Sequence, residues 1–487
     1  MSAERNDRAA GAILGMAAGD ALGAGYEFGP PLADDVVVAM QGGGGFGWAP
    51  GEWTDDTSMA VPILRVAAEG RSLTDEAVQD GLVAAWADWA RTAPDVGSQT
   101  RAVLSGLGDT TADAARAAAK AVHDRTGRSG GNGSLMRTAP VALAHLHDVD
   151  ALVAAASGVS GLTHFDSEAG EACVIWCLAI RHAVLHGELD VREAIAQLPA
   201  DRHRVWLDRV DEAERKRPRD FTRNGWVVEA FQAAWSAIAT TRVPEDLPAR
   251  HLQLALEAAV RGGRDTDTVA AIAGGLLGAR WGAPAVPAAW RRILHGWPGL
   301  DADDLTRLAV LAANGGRTDG RGWPSADRFP PSAVRTLVRH PHDEGVWLGS
   351  LAALDGLPEE IDAVVSLCRV GRKQTDREQV EFWLVDQVGR NPNLDFVLRD
   401  AADTVAALRA EGKTVLVHCF EGRSRTPSVG AAYSVLHLSR EPEVAIHEVT
   451  DALPFGAPGP WFTDVVRTFR PAGTSDASVE VRERPIL

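Results

Sequence analysis

Cysteine, tyrosine and positive charge are all scarce in this chain of 487 residues. The four cysteines, Cys173, Cys177, Cys368 and Cys419, are too few and too scattered for a disulfide framework. Cys173 and Cys177 stand at helical spacing inside an apolar run, which reads as a pair of core thiols. Lys and Arg number 49 against 66 Asp and Glu, a formal charge of −17, and no basic tract occurs. This argues against a nucleic-acid partner, since phosphate backbones are bound by clustered Lys and Arg. No apolar run reaches the roughly 18 residues that a bilayer crossing needs. Glu4, Asp7 and Asp20 fall where a signal peptide would carry a basic start and an unbroken apolar stretch. No membrane partner and a cytoplasmic location are therefore expected. Two tyrosines contrast with 15 tryptophans, of which Trp86, Trp89, Trp176 and Trp235 lie in helical periodic segments and are expected in the core.

At this length one ordinary core is not enough, and 45% hydrophobic residues supply apolar surface for two. The texture changes once. Up to about residue 313 the chain is Ala-rich, with apolar residues at three- and four-residue spacing, as in 58–68, 79–90, 111–122, 149–158, 166–182, 249–260 and 268–281, and no convincing alternating strand. Gly and Pro then collect without periodicity between Asn314 and Ser332. Beyond them, short β-branched runs (345–349, 362–367, 380–385 and 414–418) alternate with helical stretches (394–410, 426–438, 442–451 and 460–469), the pattern of an α/β domain with a largely parallel sheet. The expected organisation is an all-α domain over 1–315, a linker over 316–333 and an α/β domain over 334–487.

In the first domain two acidic clusters about two hundred residues apart, Thr54-Asp55-Asp56-Thr57 and Asp265-Thr266-Asp267-Thr268, each stand where a helix begins. Asp and Thr are good helix caps, and one such cluster would read as a cap. Two of them, each in a Gly-rich neighbourhood, read as the halves of one metal site. Dense carboxylates repel one another unless a cation neutralises them, and oxygen ligands favour Mg²⁺, Mn²⁺ or Ca²⁺ over Zn²⁺.

The surrounding residues carry a family resemblance. Gly11 to Gly23 with Glu27 behind it, then Trp53 to Thr57, Gly131-Asn132-Gly133-Ser134-Leu135-Met136-Arg137 and Arg264 to Thr268 resemble, in order and spacing, the ADP-ribosylglycohydrolase family over residues 7 to 315. The resemblance implies an all-helical domain with two Mg²⁺ or Mn²⁺ ions at its centre, and an ADP-ribosylated protein or ADP-ribose derivative as substrate. Thr54, Asp55, Asp56, Asp265, Asp267 and Thr268 would hold the ions, with Glu27 near them and the distal ribose. Gly131, Asn132, Gly133 and Ser134 would take the pyrophosphate ahead of a helix starting near Leu135. Asp95 is a candidate for orienting substrate or handling a proton, or an exposed turn residue. His164 is a candidate near the ribose, or a cap or core residue. Trp48 and Trp53 flank the metal loop and could contact adenine or the acceptor, and the patch Gly42 to Gly47 could be a lid.

The second domain carries one sharper motif. After the strand Thr414 to Val417 comes His418-Cys419-Phe420-Glu421-Gly422-Arg423-Ser424-Arg425-Thr426, the Cys-x5-Arg pattern, which resembles the dual-specificity and tyrosine phosphatases. A loop between strand end and helix start points N–H groups inward and favours an anion. Cys419 would attack phosphorus as the thiolate, Arg425 would hold two phosphate oxygens, Thr426 would assist thiolate release, and Gly422 and Ser424 belong to the phosphate loop. His418 would orient the loop. Asp386 is the candidate general acid, with Asp376 and Asp395 as rivals. The chain thus reads as a bifunctional hydrolase of ADP-ribosylated and phosphorylated substrates. The competing class is an interaction protein that recognises ADP-ribose and phosphate with one or both domains catalytically idle.

Overall fold

Two helices far apart in sequence meet without side chains between them. In the computed structural model, which describes residues 2–318, 334–369 and 374–471, the Ala3–Gly23 helix packs along the Thr266–Trp281 helix. Gly11, Gly15, Gly19 and Gly23 recur every fourth residue and so line one helical face. A Cβ on Gly15 would stand 2.3 Å from the carbonyl oxygen of Gly274, and one on Gly19 would stand 2.2 Å from that of Ala270. On the other helix, a Cβ at Gly278 would fall 1.8 Å from the oxygen of Gly11. The contact is main chain on main chain, which only glycine permits.

The chain divides into two compact units, Met1–Ala326 and Asp327–Leu487. The expected linker, 316–333, lies outside the described residues except for 316–318. The N-terminal unit is helical as expected, with one two-residue antiparallel ladder, His295–Gly296 with Leu300–Asp301, too short to leave an alternating signature. Trp86, Trp89, Trp176 and Trp235 are buried. Two of their indole N–H groups are satisfied by main chain: Trp86 donates to the Met59 carbonyl and Trp176 to that of Ile272, both at 2.9 Å. Cys173 and Cys177 are free and buried in the Ser167–His186 helix, core thiols as read. Among the described residues no helix is long and apolar enough to cross a membrane.

The C-terminal unit has a five-stranded sheet in the order Leu337–His340, Asp343–Ser350, Val415–Cys419, Ala363–Ser366, Glu378–Glu381. All neighbours are parallel except the first pair, a hairpin. The α/β reading therefore holds, with the antiparallel edge Leu337–His340 added. Val415–Cys419 and Ala363–Ser366 are buried along their whole length, as central parallel strands covered on both faces must be. Cys419 ends its strand, and the Arg425–Leu438 helix begins six residues later.

The helix contact generates a test. Gly15→Ala should lower stability by about 1–3 kcal/mol through overpacking. Gly81→Ala, on an open face of the Glu76–Trp89 helix with nothing within 4 Å of its Cβ, should raise it by about 0.5–1 kcal/mol. Equal effects in urea denaturation would contradict the packing account.

Candidate functional site

The glycine contact delivers a carboxylate. Asp20, fully buried near the end of the Ala3–Gly23 helix, accepts the N–H groups of Thr54 and Thr57, each at 2.9 Å. It thereby caps the Asp55–Ala68 helix from outside. The acidic clusters are left free of capping duty, since neither Thr54 nor Asp265, at the N-caps of their helices, makes a side-chain capping bond. Their oxygens converge instead. Thr54 Oγ1 lies 3.4 Å from Asp267 Oδ2 and 3.5 Å from Asp55 Oδ1 and Asp56 Oδ2, and one hydroxyl hydrogen cannot serve three carboxylates. Thr268 Oγ1 donates to Asp56 Oδ1 at 3.1 Å. Oxygens of Asp20, Asp56 and Asp267 lie within 4.8 Å of one another, as do those of Glu27, Asp265 and Asp267. Asp267 is common to both triads.

Burial and mutual repulsion hold these carboxyls far from their ordinary behaviour. Burial, then Asp20, pushes Asp56 well up; burial, then Glu27, does the same to Asp267. Asp55 is raised to about 8 by burial and then Asp95, and Glu27 to about 9 by burial and then Asp265. Asp20 rises only to about 6, because the Thr57 and Thr54 hydrogen bonds oppose its burial. Glu27 Oε2 is buried without a hydrogen-bond partner. A set of hard, anionic oxygens with one orphaned carboxylate oxygen fits a divalent cation such as Mg²⁺ or Mn²⁺.

The loops expected around this cluster are brought to it. Asn132 Nδ2 donates to Asp265 Oδ2 at 2.8 Å and to the Asn224 carbonyl at 2.9 Å. Gly97 N–H donates to Asp55 Oδ2 at 3.3 Å, which sets the Asp95 loop against the cluster; Asp95 is itself raised by burial and then by Asp265. His164 lies against the glycines: a Cβ on Gly131 would be 3.3 Å from its Nε2, and one on Gly133 3.2 Å from its Cε1. Burial and then Arg137 lower His164 to about 3, so the imidazole is neutral. Ser134 Oγ accepts from Ser160 at 2.9 Å and is buried. The helix expected near Leu135 is not there: residues 133–137 form turns and the helix runs Ala139–Ala144, because the Gly131–Ser134 segment is tied down by Asn132 and continues as turns. Trp53 is also corrected. It is buried, donates to the Trp297 carbonyl at 3.2 Å and packs on Gly296, so it cannot face a ligand. The Gly42–Gly47 patch closes on itself through paired Gly43 and Trp48 main-chain bonds of 2.7 and 3.0 Å.

In the C-terminal unit the Cys-x5-Arg segment forms a loop from strand end to helix start. Gly422, at φ +70°, lies where a Cβ would meet the Gly349 oxygen at 2.9 Å. Arg425 Nη1 donates to the carbonyls of Leu367 at 3.2 Å and Leu384 at 2.8 Å, while its Nε is buried without a partner. His418 bonds Ser366 Oγ at 2.7 Å and the Cys419 carbonyl at 3.2 Å, and burial lowers it to about 4. Asp386 Oδ1 accepts from Ser424 Oγ at 2.8 Å, whereas Asp395 accepts the Phe396 N–H of its own helix. The Thr426 hydroxyl donates to the Gly349 carbonyl at 3.1 Å, so here its hydrogen points to main chain and not to the thiol.

A family model described as ADP-ribosylglycohydrolase matches residues 1–321. The chain belongs to the ADP-ribosylglycohydrolase family. An ADP-ribosylarginine hydrolase, Tri1, of Pseudomonas putida is 31% identical over 298 residues, 58% of this chain and 73% of that protein. The ADP-ribosyl-[dinitrogen reductase] glycohydrolase of Rhodospirillum rubrum is 28% identical, covering 58% of this chain and 89% of the relative. Among solved structures, an ADP-ribosylglycohydrolase-related protein complex aligns at TM-score 0.49 and 29% identity over 64% of this chain and 99% of that one. Human DUSP28 aligns at TM-score 0.25 and 23% identity over 29% of this chain and 95% of its own.

Within the ADP-ribosylglycohydrolase domain the structure adds residues that sequence reasoning passes over. In the sequence Asp20 stands inside the Gly11–Gly23 run that carries the resemblance and as a charge in the N-terminal stretch, with no ligand role assigned to it. Its signal is a lone acid within a glycine stripe, a position that burial makes costly without a purpose. Gln99 spans the gap between loops, donating to the Ser129 carbonyl at 2.9 Å and to the Thr163 carbonyl at 3.0 Å. Arg137 is fully buried, stacks 4.0 Å over Trp86 and donates to Thr163 Oγ1 at 2.7 Å. Asn224 donates to the Gly263 carbonyl at 3.1 Å, and nothing in the sequence around it marks that role.

The carboxyl shifts fix a pH dependence. A carboxyl raised on folding stabilises while protonated. Its contribution is complete below the unfolded value near about 4 and is lost as pH rises through about 6 for Asp20, about 8 for Asp55 and about 9 for Glu27. In chelator the melting temperature should fall from about pH 5 to 9. Mg²⁺ or Mn²⁺ at roughly 100-fold excess over Kd should restore about 2.7 kcal/mol. A melting curve indifferent to divalent cations across this range would contradict a cation site.

Proposed function

We propose that the N-terminal unit is a divalent-cation-dependent ADP-ribosylglycohydrolase that releases ADP-ribose from modified arginine in proteins. The observation that supports this reading is Asp267, whose carboxylate is shared by two oxygen triads, as a ligand bridging two ions would be. The arginine acceptor is taken from the hydrolase relatives. Asp20, Thr54, Asp55, Asp56, Glu27, Asp265, Asp267 and Thr268 would hold two Mg²⁺ or Mn²⁺ ions. Bound there, these supply Lewis-acid polarisation of the distal ribose hydroxyls and of water.

The chain's own groups do the rest. The Gly131 and Asn132 N–H groups are already taken, by Gln99 Oε1 at 3.3 Å and the Gly225 carbonyl at 3.2 Å, so the Gly133 and Ser134 N–H groups would take the pyrophosphate, with neutral His164 behind the segment. Water attacks the anomeric carbon as its bond to the guanidine nitrogen breaks. Asp95, which is not among the ion ligands, takes the proton from water, and the departing guanidine takes one in turn. Surrounding carboxylates favour the positive charge that develops on the ribose.

We propose for the C-terminal unit a Cys419-dependent phosphomonoesterase. Support comes from the buried, unpartnered Nε of Arg425, the Gly422 turn and the Ser424–Asp386 bond, which places an acid candidate against the loop. Phosphate would be held by Arg425 and loop N–H groups, Cys419 would displace the alcohol, and Asp386 would protonate it. The two units are proposed as separate domains, 1–315 and 334–487.

Asp267→Ala should abolish ADP-ribose release from an ADP-ribosylarginine peptide and leave aryl phosphate hydrolysis unchanged; full release in EDTA would contradict the first assignment. Conversely, Cys419→Ser should eliminate aryl phosphate turnover and spare ADP-ribose release. Asp386→Asn should slow poor leaving groups more than activated ones, because only the former need a proton as the bond breaks. Undiminished turnover by Cys419→Ser would refute the cysteine mechanism.

A further inference from the structure

The acid candidate of the C-terminal unit stands in solvent, yet the segment that carries it is fastened at three points. Asp386 is exposed, and an exposed aspartate ordinarily turns among its rotamers. Here its Oδ1 accepts from the hydroxyl of buried Ser424 at 2.8 Å, and the Ser424 oxygen in turn accepts the Gly459 N–H at 3.1 Å. Two residues before the acid, the Leu384 carbonyl accepts from Arg425 Nη1 at 2.8 Å. Between these contacts Val385 is clamped by a single side chain: its N–H donates to Asn391 Oδ1 and its carbonyl accepts from Asn391 Nδ2, both at 2.8 Å. Asn391 thus closes the acid segment on itself, and Ser424 and Arg425 attach it to the phosphate loop.

The same bonds decide what the Ser424 hydroxyl does. A serine has one hydrogen to give. With that hydrogen on Asp386, the hydroxyl has no donor left for a phosphate oxygen, so this side chain serves the acid and not the phosphate. Oδ1 of Asp386 is engaged in turn, which leaves Oδ2 to carry a proton. In the phosphoryl transfer proposed above, the sulfur of Cys419 bonds to phosphorus as the phosphorus–oxygen bond breaks; the departing oxygen takes that proton and leaves Asp386 a carboxylate. Such a transfer needs the acid within hydrogen-bond reach of the oxygen, and a misplacement of about 1 Å can cost about 100-fold in rate.

We propose that Ser424 and Asn391 are positioning residues that fix Asp386 for delivery of its proton to the leaving oxygen. This rests on the Cys419 phosphomonoesterase reading above. The test measures kcat/KM of the full chain, which reports the step at which the oxygen leaves, on phenyl phosphate, a poor leaving group, and on dinitrophenyl phosphate, whose leaving group needs no proton. Ser424→Ala should lower it by about 10- to 100-fold on phenyl phosphate and by much less on the dinitrophenyl ester, with inhibition by inorganic phosphate retained. Ser424→Thr, which keeps a hydroxyl, should restore phenyl phosphate turnover. Asn391→Ala, outside the phosphate loop, should show the same selective loss, and neither change should slow Asp386→Asn further. Where Ser424→Ala loses phosphate inhibition, Asn391→Ala decides alone. Equal slowing of both esters, or slowing of neither, would overturn the positioning role and leave the phosphomonoesterase reading standing. A wild type that turns over neither ester would overturn that reading and the positioning role together.

Discussion

The main-chain contact between the Ala3–Gly23 and Thr266–Trp281 helices is the constraint on which the N-terminal unit turns. Helices separated by side chains pack with their axes about 8–10 Å apart. Here carbonyl oxygens occupy the space that a Cβ would need at Gly11, Gly15 and Gly19. The consequence appears at one end of the contact, where Asp20 on one helix and Asp267 on the other come close enough to share a cation. At Gly23 the fit continues to the Asp267 backbone itself, where a Cβ would stand 2.4 Å from its Cα.

The site that results is held against its own electrostatics. Carboxylates gathered in a buried place repel, and the fold keeps them there by means that owe nothing to ion pairing. Asp20 is fixed by two N–H groups of the helix it caps, Asp265 by the Asn132 amide and Asp55 by the Gly97 N–H. Each bond also favours the charged form of its carboxylate. Scaffold and charge are therefore separable: packing sets the positions, and a bound cation would relieve the repulsion they create.

Chemistry carried by consecutive residues is legible in the sequence. The two acidic clusters can be read because their ligand types lie side by side at helix starts, and the Cys419 loop because its nucleophile, turn and arginine stand in one register. Chemistry assembled across the chain escapes. Asp20 looks like any helix acid until the glycine stripe brings it to Asp267, nearly the whole domain away in sequence. Trp53 looks accessible by its proximity to Thr54, yet Gly296, from a hairpin far downstream, leaves room for its indole and buries it. Turns replace the expected helix at 133–137 for a similar reason, since Asn132 answers to Asp265 and not to its neighbours. Strand Leu337–His340 goes unread because an edge strand of four residues, half of it polar or charged, carries little apolar signal.

The most direct test of a shared cation site built by the helix contact is an anomalous-difference map of crystals grown with Mn²⁺. The account predicts density against the Asp267 carboxylate, bounded by Asp20 and Asp56 on one side and by Glu27 and Asp265 on the other. Mn²⁺ found only on exposed carboxylates, with Asp267 unligated, would contradict it.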